Sequence, residues 1–87
     1  MVTVFIPAQL KEMTGGVTSV EVDASNIRQV VEQLEQQFPG IQQRLCDGDN
    51  LRSGLQVSID SVMTSRGLIA KVQPGNEVHF VPAFGGG

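Results

Sequence analysis

Val72-Gln73-Pro74-Gly75-Asn76-Glu77-Val78-His79-Phe80-Val81-Pro82-Ala83-Phe84-Gly85-Gly86-Gly87 reads as a tight turn, a strand and a glycine end in immediate succession. Pro74 and Gly75 suit the central positions of a type II turn, where proline presets φ and glycine supplies a positive φ. Glu77 to Val81 reads as the last strand, with the polar-apolar alternation of a half-buried strand through Phe80. Pro82 lacks an N–H and is expected to end the ladder. Gly85, Gly86 and Gly87 carry no Cβ, so they can enter a narrow cleft with backbone angles closed to other residues. A terminal α-carboxylate is ionised at neutral pH and is a poor acceptor for nucleophiles. It gains chemistry when another protein activates it, for instance by adenylation. The alternative is a frayed glycine end without chemistry.

Working outward from that strand, the chain resolves into few elements. Met1 to Ile6 is an apolar, β-branched run ended by Pro7. Thr14-Gly15-Gly16 signals a turn, and Val17 to Asp23 alternates as a second strand. Gln9–Thr14 is read as the long connection of a hairpin. Ile27, Val30, Val31, Leu34 and Phe38 fall on one helical stripe. Asn26 with Gln29 three residues on has the spacing of a capping box, and Pro39-Gly40 stops the helix. Arg28, Glu32, Glu35 and Gln36 are assigned to its solvated face. Ile41 to Cys46 predicts one further helical turn, Asp47–Asn50 a loop, and Leu55 to Ile59 a third strand. Asp60 to Gly67 is rich in turn formers, and Leu68 to Val72 is expected to add a short strand. The order ββαβ(β)β, with one helix to cover one sheet face, predicts a two-layer α+β domain spanning residues 1–87. The tail 84–87 is expected to be flexible. Strand parity aims Val2, Val4, Ile6, Val78 and Phe80 at the helix, and leaves Phe5, His79 and Val81 on the uncovered face. Apolar residues on an open face make those three candidates for partner docking.

Composition narrows the function. The chain has 87 residues, enough for one domain that buries roughly 60–65% of its unfolded surface. No Trp or Tyr is present, so the core is aliphatic. Nine acidic against six basic residues give a net charge of −3. No Lys/Arg cluster exists, which argues against nucleic acid, and the acidic balance points to a partner with a basic docking surface. A single Cys46 precludes an internal disulfide and suits a reducing compartment. No basic-then-apolar leader opens the chain and no run approaches the ~18 apolar residues of a membrane span, so a cytoplasmic location without membrane contact is expected.

Candidate catalytic groups are sparse. His79 is the lone histidine, without the sequence neighbours of a nucleophilic triad, and is assigned to the surface. Cys46 is read as a small apolar residue. Asp47-Gly48-Asp49-Asn50 matches a calcium loop at two positions, with glycine misplaced and the closing Glu absent. Metal-ligand spacing and a phosphate-binding loop are both missing. The residues therefore predict no catalytic residue, no metal, no bound cofactor and no autonomous enzyme.

With this element order and end, the chain resembles the ubiquitin-like sulfur-carrier family. That family includes the small subunit of molybdopterin synthase, the thiamine-biosynthesis sulfur carrier and a carrier of an alternative cysteine pathway. The match is strongest over Val72 to Gly87, where Asn76 stands in place of the usual acidic residue. Phe5-Ile6-Pro7-Ala8-Gln9-Leu10-Lys11 and Thr14-Gly15-Gly16 are most similar to the cysteine branch. The resemblance implies a β-grasp fold, a mixed four- to five-stranded sheet with one main helix. It implies an E1-like enzyme that spends ATP to adenylate Gly87, a sulfur donor that makes the thiocarboxylate, and a downstream sulfur-accepting synthase. Phe84, Gly85, Gly86 and Gly87 would enter the partner's active site. A protein modifier joined through Gly87, or a permanent synthase subunit, fits the same residues.

Overall fold

The computed structural model describes residues 1–82. Its elements are β1 (Val2–Phe5), a 3₁₀ segment (Ala8–Thr14), β2 (Ser19–Val22), α1 (Ile27–Gln37), α2 (Ile41–Leu45), β3 (Cys46–Asp47), β4 (Asn50–Leu51), β5 (Leu55–Ile59), β6 (Val62–Thr64), a 3₁₀ turn (Gly67–Ile69) and β7 (Glu77–Pro82). Five strands form one sheet in the order β2-β1-β7-β5-β6, and β3 pairs with β4 as a separate ribbon. β1 and β7 run parallel, and every other pair is antiparallel. This mixed sheet under one main helix is the β-grasp arrangement.

The helix forms where the apolar stripe places it. Asn26 Oδ1 accepts from Gln29 N at 2.8 Å, and the Gln29 side chain accepts from Ser25 N at 2.7 Å. The reciprocal cap therefore exists with its return bond one residue earlier than the usual box. Ile27, Val30, Val31 and Leu34 are fully buried against Val2, Val4, Val57, Val78 and Phe80 of the sheet. Burying each such side chain contributes about 1.5–3 kcal/mol, so this two-layer contact is the main source of stability.

Several expectations change. Glu35 does more than face solvent: its carboxylate accepts from Gly40 N at 2.9 Å and Gln42 N at 2.8 Å, tying α1 to the first turn of α2. Gly40 stands between the two helices at φ 99°, and a Cβ there would come within 3.3 Å of the Met13 side chain. The long connection of the β1–β2 hairpin, expected over Gln9–Thr14, is a 3₁₀ segment over Ala8–Thr14. Leu68–Val72 is not a strand: it contains the 3₁₀ turn and a single bridge between Lys71 and Asn26. Leu68, Ala70 and Val72 do alternate into the core, but their backbone partners are at the start of α1. Ile27 N donates to Ala70 O, and Val72 N to Ser25 O. The turn-rich segment after Ile59 holds the strand β6 instead. Asp60 and Ser61 adopt φ of 52° and 71°, the left-handed pair that closes a two-residue hairpin.

Pro74-Gly75 forms the expected turn, with Asn76 N donating to Gln73 O at 3.0 Å and Gly75 at φ 90°. β7 runs to Pro82, which pairs in register with Leu55, one residue beyond the expected last strand residue Val81.

Candidate functional site

β7 lies between β1, which pairs with Glu77 to His79, and β5, which pairs with Val78 to Pro82. Polar bonds fix the start of β7. Gly75 N donates to Met1 O at 2.8 Å, and Thr3 N to Asn76 O at 3.0 Å. Asp60 accepts from Glu77 N at 2.8 Å and from Asn76 Nδ2 at 2.7 Å. Asn76 Oδ1 in turn accepts from Gln73 N at 2.7 Å. An amide at position 76 meets both demands, donating on one side and accepting on the other. A carboxylate there would face Asp60 as a like charge.

On the sheet face away from α1, register brings together a row of side chains that the sequence scatters. Phe5 lies opposite Ser19 on one side and His79 on the other; Ser58 lies between His79 and Met63. The Phe5 and His79 rings stack with centroids 4.2 Å apart and planes 3° from parallel. Val81 continues β7 two residues further, opposite Gln56. Phe5, His79 and Val81 are all half-buried. Ser58 is buried although no layer of the described residues covers this face. Its register neighbours His79 and Met63 flank it on both sides. Met63 was not legible as part of this row, because β6 carries no strand signal of its own.

This face has no hydrolytic constellation. Ser58 and His79 are register neighbours, but no hydrogen bond joins them among the described residues. The same residues contain no cluster of three metal-ligating side chains. Cys46 is buried beside α2, and that burial pushes its thiol pKa up against the opposing pull of Arg28 and Arg52. A raised pKa leaves little thiolate at neutral pH, which suits a packing residue. No helix among the described residues is long and apolar enough to cross a membrane. Gly87 and the rest of the segment Phe84–Gly87 lie outside the described residues.

Comparisons with known proteins agree with one another. The ThiS family profile matches residues 4–87. A sulfur carrier protein CysO from Mycobacterium bovis is 33% identical over 91 aligned residues, which cover 99% of this chain and 98% of that protein. The CysO chain in a crystal structure of an Amycolatopsis orientalis BexX/CysO complex is similar over all of both chains, with 32% identity and a TM-score of 0.89. SAMP1 from Haloferax volcanii matches with a TM-score of 0.73 at 22% identity, covering 99% of this chain and 98% of that one, a likeness of fold alone.

Proposed function

We infer that this chain, which belongs to the ThiS family, is a sulfur carrier similar to CysO, a co-substrate and not an enzyme. On that premise we propose that Gly87 is the carboxyl terminus on which the sulfur travels, within a cysteine-forming pathway. The observation that carries this reading is the end-to-end similarity to CysO, including a relative captured with BexX as its partner.

The chemistry needs no catalytic group in this chain. An E1-like partner directs a Gly87 carboxylate oxygen at the α-phosphorus of ATP, and pyrophosphate leaves. A sulfide equivalent then attacks the acyl carbon and AMP leaves, so the carboxyl carbon holds one sulfur and one oxygen. A synthase finally takes the sulfur into its product. The carrier supplies Phe84 and a reach of three small residues, Gly85 to Gly87, on a folded handle. The face bearing Phe5, His79 and Val81 supports this reading as the surface where partners dock. It is a half-apolar face without a covering layer among the described residues, with its stacked pair held in place by two strands. A location in the cytoplasm, where ATP and sulfide donors are at hand, follows from the same cycle.

The test is reconstitution with ATP, an adenylating enzyme of the same organism and a sulfide source. The intact chain is expected to gain one sulfur in place of one oxygen. Deleting Gly86 and Gly87 should abolish that gain while leaving the thermal midpoint nearly unchanged. Isopeptide-linked lysine peptides in place of the thiocarboxylate would make the chain a protein modifier instead.

A further inference from the structure

Four of the nine carboxylates of this acidic chain lie at one end of its sheet. β2 runs antiparallel to β1, and β5 antiparallel to β7, so register puts Glu21, Asp23, Asp60 and Glu77 at the end where β7 begins. At the opposite end, where β7 reaches Pro82, a cleft of about 550 Å³ is lined by Pro7, Gln9, Arg44, Arg52 and Leu55, among others, and by no carboxylate. Leu55 is the register partner of Pro82, and its N–H donates to Arg52 O. The cleft therefore opens beside the point from which the chain continues.

Both arginines are exposed, and among the described residues neither pairs with a carboxylate; the ion pair present is Arg28 with Asp49. Arg52 is also preorganised. Its Nε donates to Gln43 O at 2.6 Å, which tethers the guanidinium and leaves the two terminal nitrogens out of that bond. A planar fork held this way suits a carboxylate, which it can grip through two parallel bonds.

We propose that Arg44 and Arg52 form a docking cleft for a carboxylate-bearing segment of the enzyme that receives the tail. This rests on the carrier reading above and adds the chemistry of the partner's rim. The net charge of the chain suggests a basic partner surface, but charge at the exit has the opposite sign. An acidic rim would steer the exit end toward the active-site mouth and repel the far end of the sheet, fixing orientation as well as affinity. A nucleotide suits the cleft less well. The lining has no aromatic face for a base and no glycine-rich cradle, and α2 presents its carbonyl end there.

The experiment measures adenylation of the full chain by the activating enzyme, as pyrophosphate exchange at several salt concentrations. Arg44→Glu with Arg52→Glu is expected to raise KM for the carrier about tenfold or more, with kcat little changed, because like charges then face each other. Wild-type KM should climb with salt, and that of the double variant should not. Arg28→Glu with Arg66→Glu is the control and should leave KM near the wild-type value. Arg44→Ala alone keeps the Arg52–Gln43 bond, so its smaller rise in KM separates docking from folding. An unchanged KM in both Arg44 variants, or a change confined to the KM for ATP, overturns the cleft while leaving the carrier reading intact. If wild-type protein is not adenylated at all, the carrier reading fails, and the partner assigned to the cleft fails with it.

Discussion

Cutting away the Phe5 and His79 rings, singly and together, measures what the outer-face stack contributes. The centroids stand 4.2 Å apart with planes 3° from parallel, farther apart than the ~3.5 Å contact of flat rings, so the two are offset. Offset-stacked aromatic pairs contribute about 0.5–1.5 kcal/mol beyond the area they bury. A fully buried Phe→Ala costs about 3–5 kcal/mol, and half-burial scales Phe5→Ala to roughly 2 kcal/mol. A chain of 87 residues at ~0.05–0.15 kcal/mol each has a total stability of roughly 4–13 kcal/mol, so both single variants remain folded. At ~4–8 °C per kcal/mol, Phe5→Ala should lower the thermal midpoint by about 8–16 °C. With neither Trp nor Tyr in the chain, urea unfolding is best followed by far-UV circular dichroism at one fixed pH. The double variant should lose less than the sum of the singles, by about 1 kcal/mol. Losses that add to within the ~0.3–0.5 kcal/mol of independent sites would refute the stack as an energetic unit.

Three further outcomes follow from particular contacts. The two backbone N–H bonds to Glu35 hold its pKa below the ordinary value, so its stabilisation is present at neutral pH and is lost as pH falls through that lowered pKa. The stability gap between wild type and Glu35→Gln should therefore shrink on acidification, and a gap independent of pH would contradict the assignment. Cys46 should alkylate slowly in the native protein and rapidly in urea, because burial raises its thiol pKa; rapid native labelling at neutral pH would count against that burial. Asn76→Asp places a second carboxylate against Asp60 and should cost about 1 kcal/mol at low salt, part of it recovered by added salt. Equal stability of the variant in low salt would show that the amide is not needed.

What was legible in the sequence is what local pattern specifies. The stripe from Ile27 to Leu34, the alternation of Leu55–Ile59, and Pro74-Gly75 each encode their geometry within a few residues. The same holds for parity: Val78 and Phe80 face the helix because a strand alternates, which also fixes where Phe5 and His79 emerge. The misreadings concern bonds between distant segments. Leu68, Ala70 and Val72 alternate as a strand would, yet their backbone partners are Ser25, Asn26 and Ile27, and no periodicity reveals that. Asp60-Ser61 closes a hairpin without the glycine that usually advertises one, so β6 and Met63 were hidden in apparent turn sequence. Glu35 falls on the polar side of the helical wheel, but two N–H groups beyond Pro39 draw it back. The basic exit was hidden in the same way. Arg44 and Arg52 are eight positions apart in the chain and meet only because α2 and the β3–β4 ribbon fold back beside Leu55.

The central claim is that this β-grasp domain carries sulfur on Gly87, and intact mass spectrometry of the protein isolated from its own cells tests it most directly. The account predicts a population heavier by the exchange of one oxygen for one sulfur, located to the C-terminal peptide and shifted to still higher mass by an alkylating agent that caps the thiocarboxylate sulfur. A carboxyl group at Gly87 that stays unmodified while ATP, activating enzyme and sulfide donor are all present would contradict it.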